Sequence, residues 1–209
     1  MDHIVLEKIP HKRIRTFIQE QIENDVQSVK DLEVSFNLGD STKEFRKHEK
    51  IFLANHNIED VWNFYNTTGP NKVFKDKLVS FSLMLSKKKE SEVLYKDEPF
   101  SKAEIGQVYF MNLNIFKGLL QIAVSYEIVE INEVEKKITF SYIKGGKSIG
   151  FQQIYMKSLG DNETQIIHTT YYRSNSIMRD RYMYPYFHSK VLKEYHSSMI
   201  DFMRVKLSN

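Results

Sequence analysis

The sequence predicts an α+β fold in which an antiparallel sheet packs against one long C-terminal helix. Two observations carry that expectation. Between residues 121 and 173, four β-rich stretches are separated only by short turns, so they pair as a meander. From about Pro185 to Leu207 the apolar residues recur at helical spacing, and the sheet is the only large surface on which such a stripe can be buried.

The elements follow in order. Ile14, Phe17, Ile18, Ile22, Val26 and Val29 are spaced by three or four among charged residues, which predicts an amphipathic helix over 11–29. Leu32 to Leu38 alternates strictly and reads as a strand or extended arm. Gly39-Asp40-Ser41 then breaks the pattern, and residues 1–42 are read as an extension of a domain spanning 43–209. A strand is expected over 44–54. Asn57 then caps a helix bearing Ile58, Val61, Trp62 and Tyr65, with Glu59 and Asp60 in its first turn, where the helix dipole favours carboxylates. Gly69-Pro70 stops that helix, a short one over 71–77 follows, and Leu78–Leu83 resumes a strand.

Strands over 104–116 and 121–131 come next. In the second, Ile122, Val124, Tyr126 and Ile128 share one face. The turn at Asn132–Glu135 leads to a strand over 137–143, where Ile138, Phe140 and Tyr142 alternate with Thr139 and Ser141. Gly145-Gly146 supplies the positive φ of a tight hairpin. Strands over 148–158 and 164–173 flank a turn at Gly160-Asp161-Asn162. In the last helix Val191, Tyr195, Met199 and Phe202 fall within ~40° of one another, flanked by Leu192 and Met203.

Composition excludes several classes. The chain has 209 residues and no cysteine, which removes disulfide scaffolds, thiolate metal sites and thiol nucleophiles. Thirty basic against 27 acidic residues leave a net charge of +3, too little to predict nucleic-acid binding. No apolar run matches a secretory signal or approaches ~18 residues, so a soluble, cytoplasmic protein is expected.

This order of elements resembles the START-like (SRPBCC) superfamily from about residue 43 to 207. Ile105-Gly106, Val129-Glu130-Ile131, Phe140-Ser141-Tyr142, Gly150-Phe151-Gln152 and Asp161-Asn162-Glu163-Thr164 carry the local likeness. The family, which includes pollen-allergen-like ligand carriers and polyketide cyclases, implies a helix-grip fold: a curved antiparallel sheet wrapped around the long C-terminal helix with an apolar cavity between them. The N-terminal helical extension departs from the minimal pattern. For that cavity the candidate lining residues are Trp62, Phe140, Tyr142, Phe151, Tyr155, His168, Tyr172, His188, Tyr195 and Met199.

Other motifs fail on context. Gly146-Lys147-Ser148-Ile149-Gly150 matches the G-x-S-x-G elbow of hydrolases, but that serine needs a strand before it and a helix after it, and here a strand follows. The same residues fail as a P-loop because the required first glycine falls at Ser141. Lys87-Lys88-Lys89, with Lys72, Lys75 and Lys77, reads as solvated strand ends and loops. His188 and His196 are eight apart on one helix, ~12 Å, too far to share an ion, so no metal is expected. His188 lies ~20° from Tyr195 in the apolar stripe. It is either a core histidine bonded to a hydroxyl or carbonyl, or a polar fixture of the cavity that orients a ligand or moves a proton. The inward or outward direction of His168 stays open, because Ile166 and Ile167 compete for the inner face.

The expected function is binding of a hydrophobic small molecule, lipid-like or polyketide-like, with no catalytic constellation, cofactor or nucleic acid. The alternative is a cyclase or dehydratase using cavity His and Tyr as acid–base groups. A third possibility is an interaction protein that forms a homodimer through the N-terminal helix.

Overall fold

The computed structural model describes residues 1, 3–74, 77–116 and 118–207. An eight-stranded sheet dominates it: β1 (Arg46–Ala54), β2 (Val79–Ser86), β3 (Val93–Tyr95), β4 (Gln107–Ile115), β5 (Leu120–Asn132), β6 (Lys137–Tyr142), β7 (Ile149–Gly160) and β8 (Glu163–Arg173). The order is β1-β8-β7-β6-β5-β4-β2-β3, with every neighbouring pair antiparallel. Strands β4 to β8 form one meander. Register shifts between Phe81 and Leu83, Ile128 and Glu130, and Ser158 and Gly160 bend the sheet, because an extra residue on one strand increases its local twist.

Helical segments cover both faces of the sheet. Helix α1 (Lys12–Glu23) lies on the outer face of the sheet. On the inner side are α2 (Ile58–Thr67), α3 (Pro70–Val73) and α4 (Tyr184–Leu207), the last entered through a π turn at Arg179–Met183. The Asn57 side chain accepts the Asp60 amide at 2.9 Å and so caps α2. Lys75, in the helix expected over 71–77, lies outside the described residues, and α3 ends at Val73. Helix α1 also stops early, at Glu23, because Asn24 is its C-cap and Asp25 takes a φ of 63°. Residues 32–38 form no regular strand. They run as an arm whose Ser35 amide donates to the Tyr142 carbonyl, with one bridge pairing Val34 and Ile143.

Both faces of the sheet are covered. One core holds Trp62, Phe81, Tyr109, Ile138, Ile154, Met199 and Met203. A second, on the outer face, packs Ile14, Phe17 and Ile18 of α1 against Leu83, Leu85, Val108 and Phe110. The bulge at Ser82 makes this possible on one strand: Val79 and Phe81 face inward before it, Leu83 and Leu85 outward after it. The apolar stripe of α1 is therefore used within the chain, which removes the reason to expect a dimer through it. Gly150, at φ 124°, is required where β7 crosses β8, since a Cβ there would run into the Tyr171 carbonyl.

Candidate functional site

A cavity of about 370 Å³ separates the inner face of the sheet from α4. Tyr109, Tyr126, Ile138, Phe140 and Ile154 form its sheet side, and Val191, Leu192, Tyr195 and Met199 its helix side. Phe74 and Phe100 also line it. Strand parity places the sheet residues there: β6 turns Ile138, Phe140 and Tyr142 inward, and β7 turns Gln152 and Ile154 inward.

Six of the ten residues expected at the cavity line it: Phe140, Tyr142, His168, His188, Tyr195 and Met199. Four do not. Trp62, on α2, is buried, donating its indole N–H to Glu133 beneath the Lys136 ammonium. Phe151 points to the outer face, stacked between Phe36 at 4.2 Å and Tyr171 at 4.8 Å. Tyr155 is 39% exposed on that same outer face. Tyr172 faces inward, but Tyr184 stacks over it at 3.7 Å, and its hydroxyl donates to the Asp180 carbonyl. Two-sided burial explains the misplacement in β7: when both faces are covered, apolar residues no longer mark the inner one.

One polar part of the wall, at His168, His188 and Gln152, belongs to a histidine cluster. His168 is buried on the inner face of β8 with Ile166 and Thr170, which settles its direction. Its Nδ1 meets His196 Nε2 at 2.9 Å, and its Nε2 meets Gln152 Oε1 at 2.9 Å. His196 Nδ1 in turn meets the Tyr65 hydroxyl at 2.8 Å. The ring of His188 lies 6.2 Å from His168, stacks on Tyr184 at 4.9 Å, and contacts His48 through Nδ1 at 3.1 Å. His48 reaches Ser189 Oγ at 2.9 Å. His188 and His196 do not touch, as the spacing along α4 requires; a strand residue between them, His168, joins both.

The hydrogen bonds run in one direction when the imidazoles are neutral. Gln152 Oε1 only accepts, so His168 carries its proton on Nε2 and accepts at Nδ1. His196 then donates from Nε2 and accepts at Nδ1 from the Tyr65 hydroxyl. Burial holds the rings in that neutral state. It pushes His168 and His188 well below the ordinary histidine value, with repulsion from neighbouring imidazoles adding to the effect. His196 falls to about 3, first by burial and then through His188. His48 is lowered by burial and then by Lys50. The Tyr65, Tyr109 and Tyr184 hydroxyls are pushed well above the phenol range, chiefly by burial. Among the described residues no group of three His, Asp or Glu side chains is placed to hold a metal ion.

Sequence reasoning missed Tyr65, Gln152, His196 and His48. No sequence pattern links them, because each comes from a different element and only the crossing of α4 over β7 and β8 brings them together. Ser148 sits in the β6–β7 turn with β7 following, and Arg179 donates to its Oγ at 3.1 Å, so it has no elbow geometry. The basic run is engaged: Lys87 pairs with Glu127 at 2.7 Å and donates to the Leu32 carbonyl, and Lys89 pairs with Glu92.

No protein-family model matches the chain, and no curated protein matches it. Solved structures do. Norcoclaurine synthase of Thalictrum flavum, in complex with a transition-state analogue, superposes with a TM-score of 0.57 at 10% identity, over 79% of this chain and 97% of that one. An aromatase/cyclase from a Streptomyces species gives 0.58 at 9% identity, over 78% and 96%. A ginseng major latex-like protein from Panax ginseng gives 0.55 at 13%, over 76% and 97%. The chain has the helix-grip fold. At these identities the likeness carries the architecture alone, and function has to be argued from the cavity. Among the described residues no helix is long and apolar enough to cross a membrane.

Proposed function

We propose that this chain binds a hydrophobic small molecule, lipid-like or polyketide-like, in the cavity between the sheet and α4, and that it does so in the cytoplasm. The supporting observation is the cavity itself: about 370 Å³, walled mostly by aromatic and aliphatic side chains, with His168, His188 and Gln152 on one part of its wall and Asn114, Ser125, Ser148 and Arg179 elsewhere on it. That is the composition of a small-molecule site, where apolar walls supply affinity and a few convergent polar groups fix orientation. The norcoclaurine synthase of like architecture named above, which is in complex with a transition-state analogue, is consistent with it. Residues 1–42 serve this reading as scaffold, since they cover the outer face of the sheet that forms the cavity wall.

A second reading has its own observation. The chain Tyr65–His196–His168–Gln152 is a directed relay ending at the cavity wall, and its neutral imidazoles can take a proton at one nitrogen while releasing one at the other. That is the equipment of a cyclase- or dehydratase-type acid–base enzyme. Native mass spectrometry of the protein purified from its own host tests both readings. A retained small molecule of the same mass in wild type and His168→Gln supports the carrier; a retained molecule that differs in mass supports the enzyme. If neither protein retains any molecule and neither takes up an apolar probe, binding is wrong.

A further inference from the structure

Most exposed apolar side chains of this chain are scattered singly, as on any protein surface, but two segments concentrate them. The β4–β5 turn presents Phe116, Leu119 and Leu120; the segment entering α4 presents Ile177, Met178 and Tyr182. Leu119 is 90% exposed, Ile177 78% and Met178 68%. The segments lie side by side, since Phe116 packs edge-on against Phe187 at 5.2 Å. Leu120 and Met178 also line the cavity, so the patch is the apolar wall continued outward around one end of it.

The charges here have one sign. Lys147, Arg181 and Lys190 are exposed around the patch. The ammonium of Lys190 lies 4.1 Å above the Tyr186 ring and the guanidinium of Arg181 5.4 Å from the Tyr182 ring, so both cations ride on aromatic rims. Across 174–190, and in the turn 144–148, the only carboxylate is Asp180. It is buried, accepting from the Ser174 amide and hydroxyl, and does not face outward. Lys144 is matched by Glu33 and adds nothing.

Apolar side chains projecting beside cations that carry their own amphipathic rings are suited to a bilayer interface: the chains enter the acyl boundary and the cations meet anionic headgroups. A second protein surface of neutral or basic character would gain nothing from Lys147, Arg181 and Lys190. We propose that this rim docks on an anionic phospholipid bilayer, bringing the open end of the cavity to the membrane so that an apolar ligand passes between them without crossing water. Its purpose rests on the cavity reading, while its chemistry stands apart from it.

Co-sedimentation with vesicles tests it, using phosphatidylcholine alone and an equal mixture of phosphatidylcholine and phosphatidylserine. The wild type pellets with the mixed vesicles, less with neutral ones, and loses binding as salt rises. The double variant Leu119→Glu, Ile177→Glu changes two exposed residues outside the cavity wall, so it keeps the wild-type melt and takes up a soluble apolar probe normally. Its binding to mixed vesicles falls by about tenfold or more, and Arg181→Glu weakens binding to mixed but not neutral vesicles. The proposal is overturned if the wild type stays in the supernatant with mixed vesicles, or if the double variant pellets like wild type. It is equally overturned if the wild type ignores vesicles but forms a dimer in sedimentation velocity that the double variant abolishes, since the rim would then be a self-interface. Vesicle binding without uptake of the soluble probe upholds the docking surface and sinks the cavity reading.

Discussion

Tyr65 and His196 illustrate what a buried polar network demands of each member. Tyr65→Phe leaves the ring packing intact but removes the hydroxyl that donates to His196 Nδ1, so that buried imidazole nitrogen loses its partner. The expected loss is about 1–3 kcal/mol in a urea melt. A change below a few tenths would mean that the hydrogen bond contributes nothing. Acid tests the cluster as a whole. Unfolded, each histidine titrates near ~6.5, whereas burial pushes the folded values of His168, His188 and His196 below that. Below about pH 6.5 the unfolded chain therefore binds protons that the folded one refuses, so stability is retained above this pH and lost as pH falls toward about 3, where His196 itself titrates. Each proton that the folded cluster refuses and the unfolded chain binds steepens this loss by about 1.4 kcal/mol per pH unit. Urea midpoints that stay level between about pH 7 and 5 would contradict the neutral cluster. This arrangement was only half legible in the sequence. His188 could be placed in the stripe from its projection on the helix, but periodicity on one helix does not reveal that a strand residue will bridge two of its turns.

Helix α4 shows the same limit at the scale of the element. Its existence followed from spacing, and its stripe was expected on Val191, Tyr195, Met199 and Phe202. The buried side chains are Leu192, His196, Ser198, Met199 and Met203, a seam rotated toward the residues named as flanking. Val191 and Tyr195 are half-buried because they face the cavity, which no hydropathy pattern distinguishes from solid core. The two methionines separate core from cavity wall. Met203→Ala, in packed surroundings, costs about 2–5 kcal/mol in the urea melt. Met199→Ala enlarges an existing cavity, so it costs less and alters the uptake of an apolar probe. Equal costs with unchanged uptake would place Met199 in solid core. The helix begins at Tyr184, behind a π turn, and not at Pro185; the proline explains why regular helix starts here, but the wide turn before it has no sequence signature. Strand β3 was missed for a plain reason: three residues are too few for alternation to register.

At the scale of the molecule, the meander and the closing helix were legible because their periods are long and their turns carry glycine or asparagine. The two-sided sheet was harder to read. Residues 1–42 looked like an appendage because few residues seldom bury a core alone, yet they supply the outer-face layer with Ile14, Phe17 and Leu32. That layer is why Phe151 and Tyr155 were misread as inward-facing, and why β2 is buried along its whole length. With one face packed by the N-terminal segment, the curved sheet keeps its other face for α4 and the cavity between them. The claim that this space holds an apolar ligand is tested most directly by titrating an apolar fluorescent probe into wild type and into Val191→Phe, which projects a ring into the void from α4. Saturable, roughly one-to-one binding by the wild type is expected, lost in Val191→Phe while its urea midpoint stays near wild type. Probe binding that does not saturate, or that survives unchanged in the filled variant, would contradict the claim.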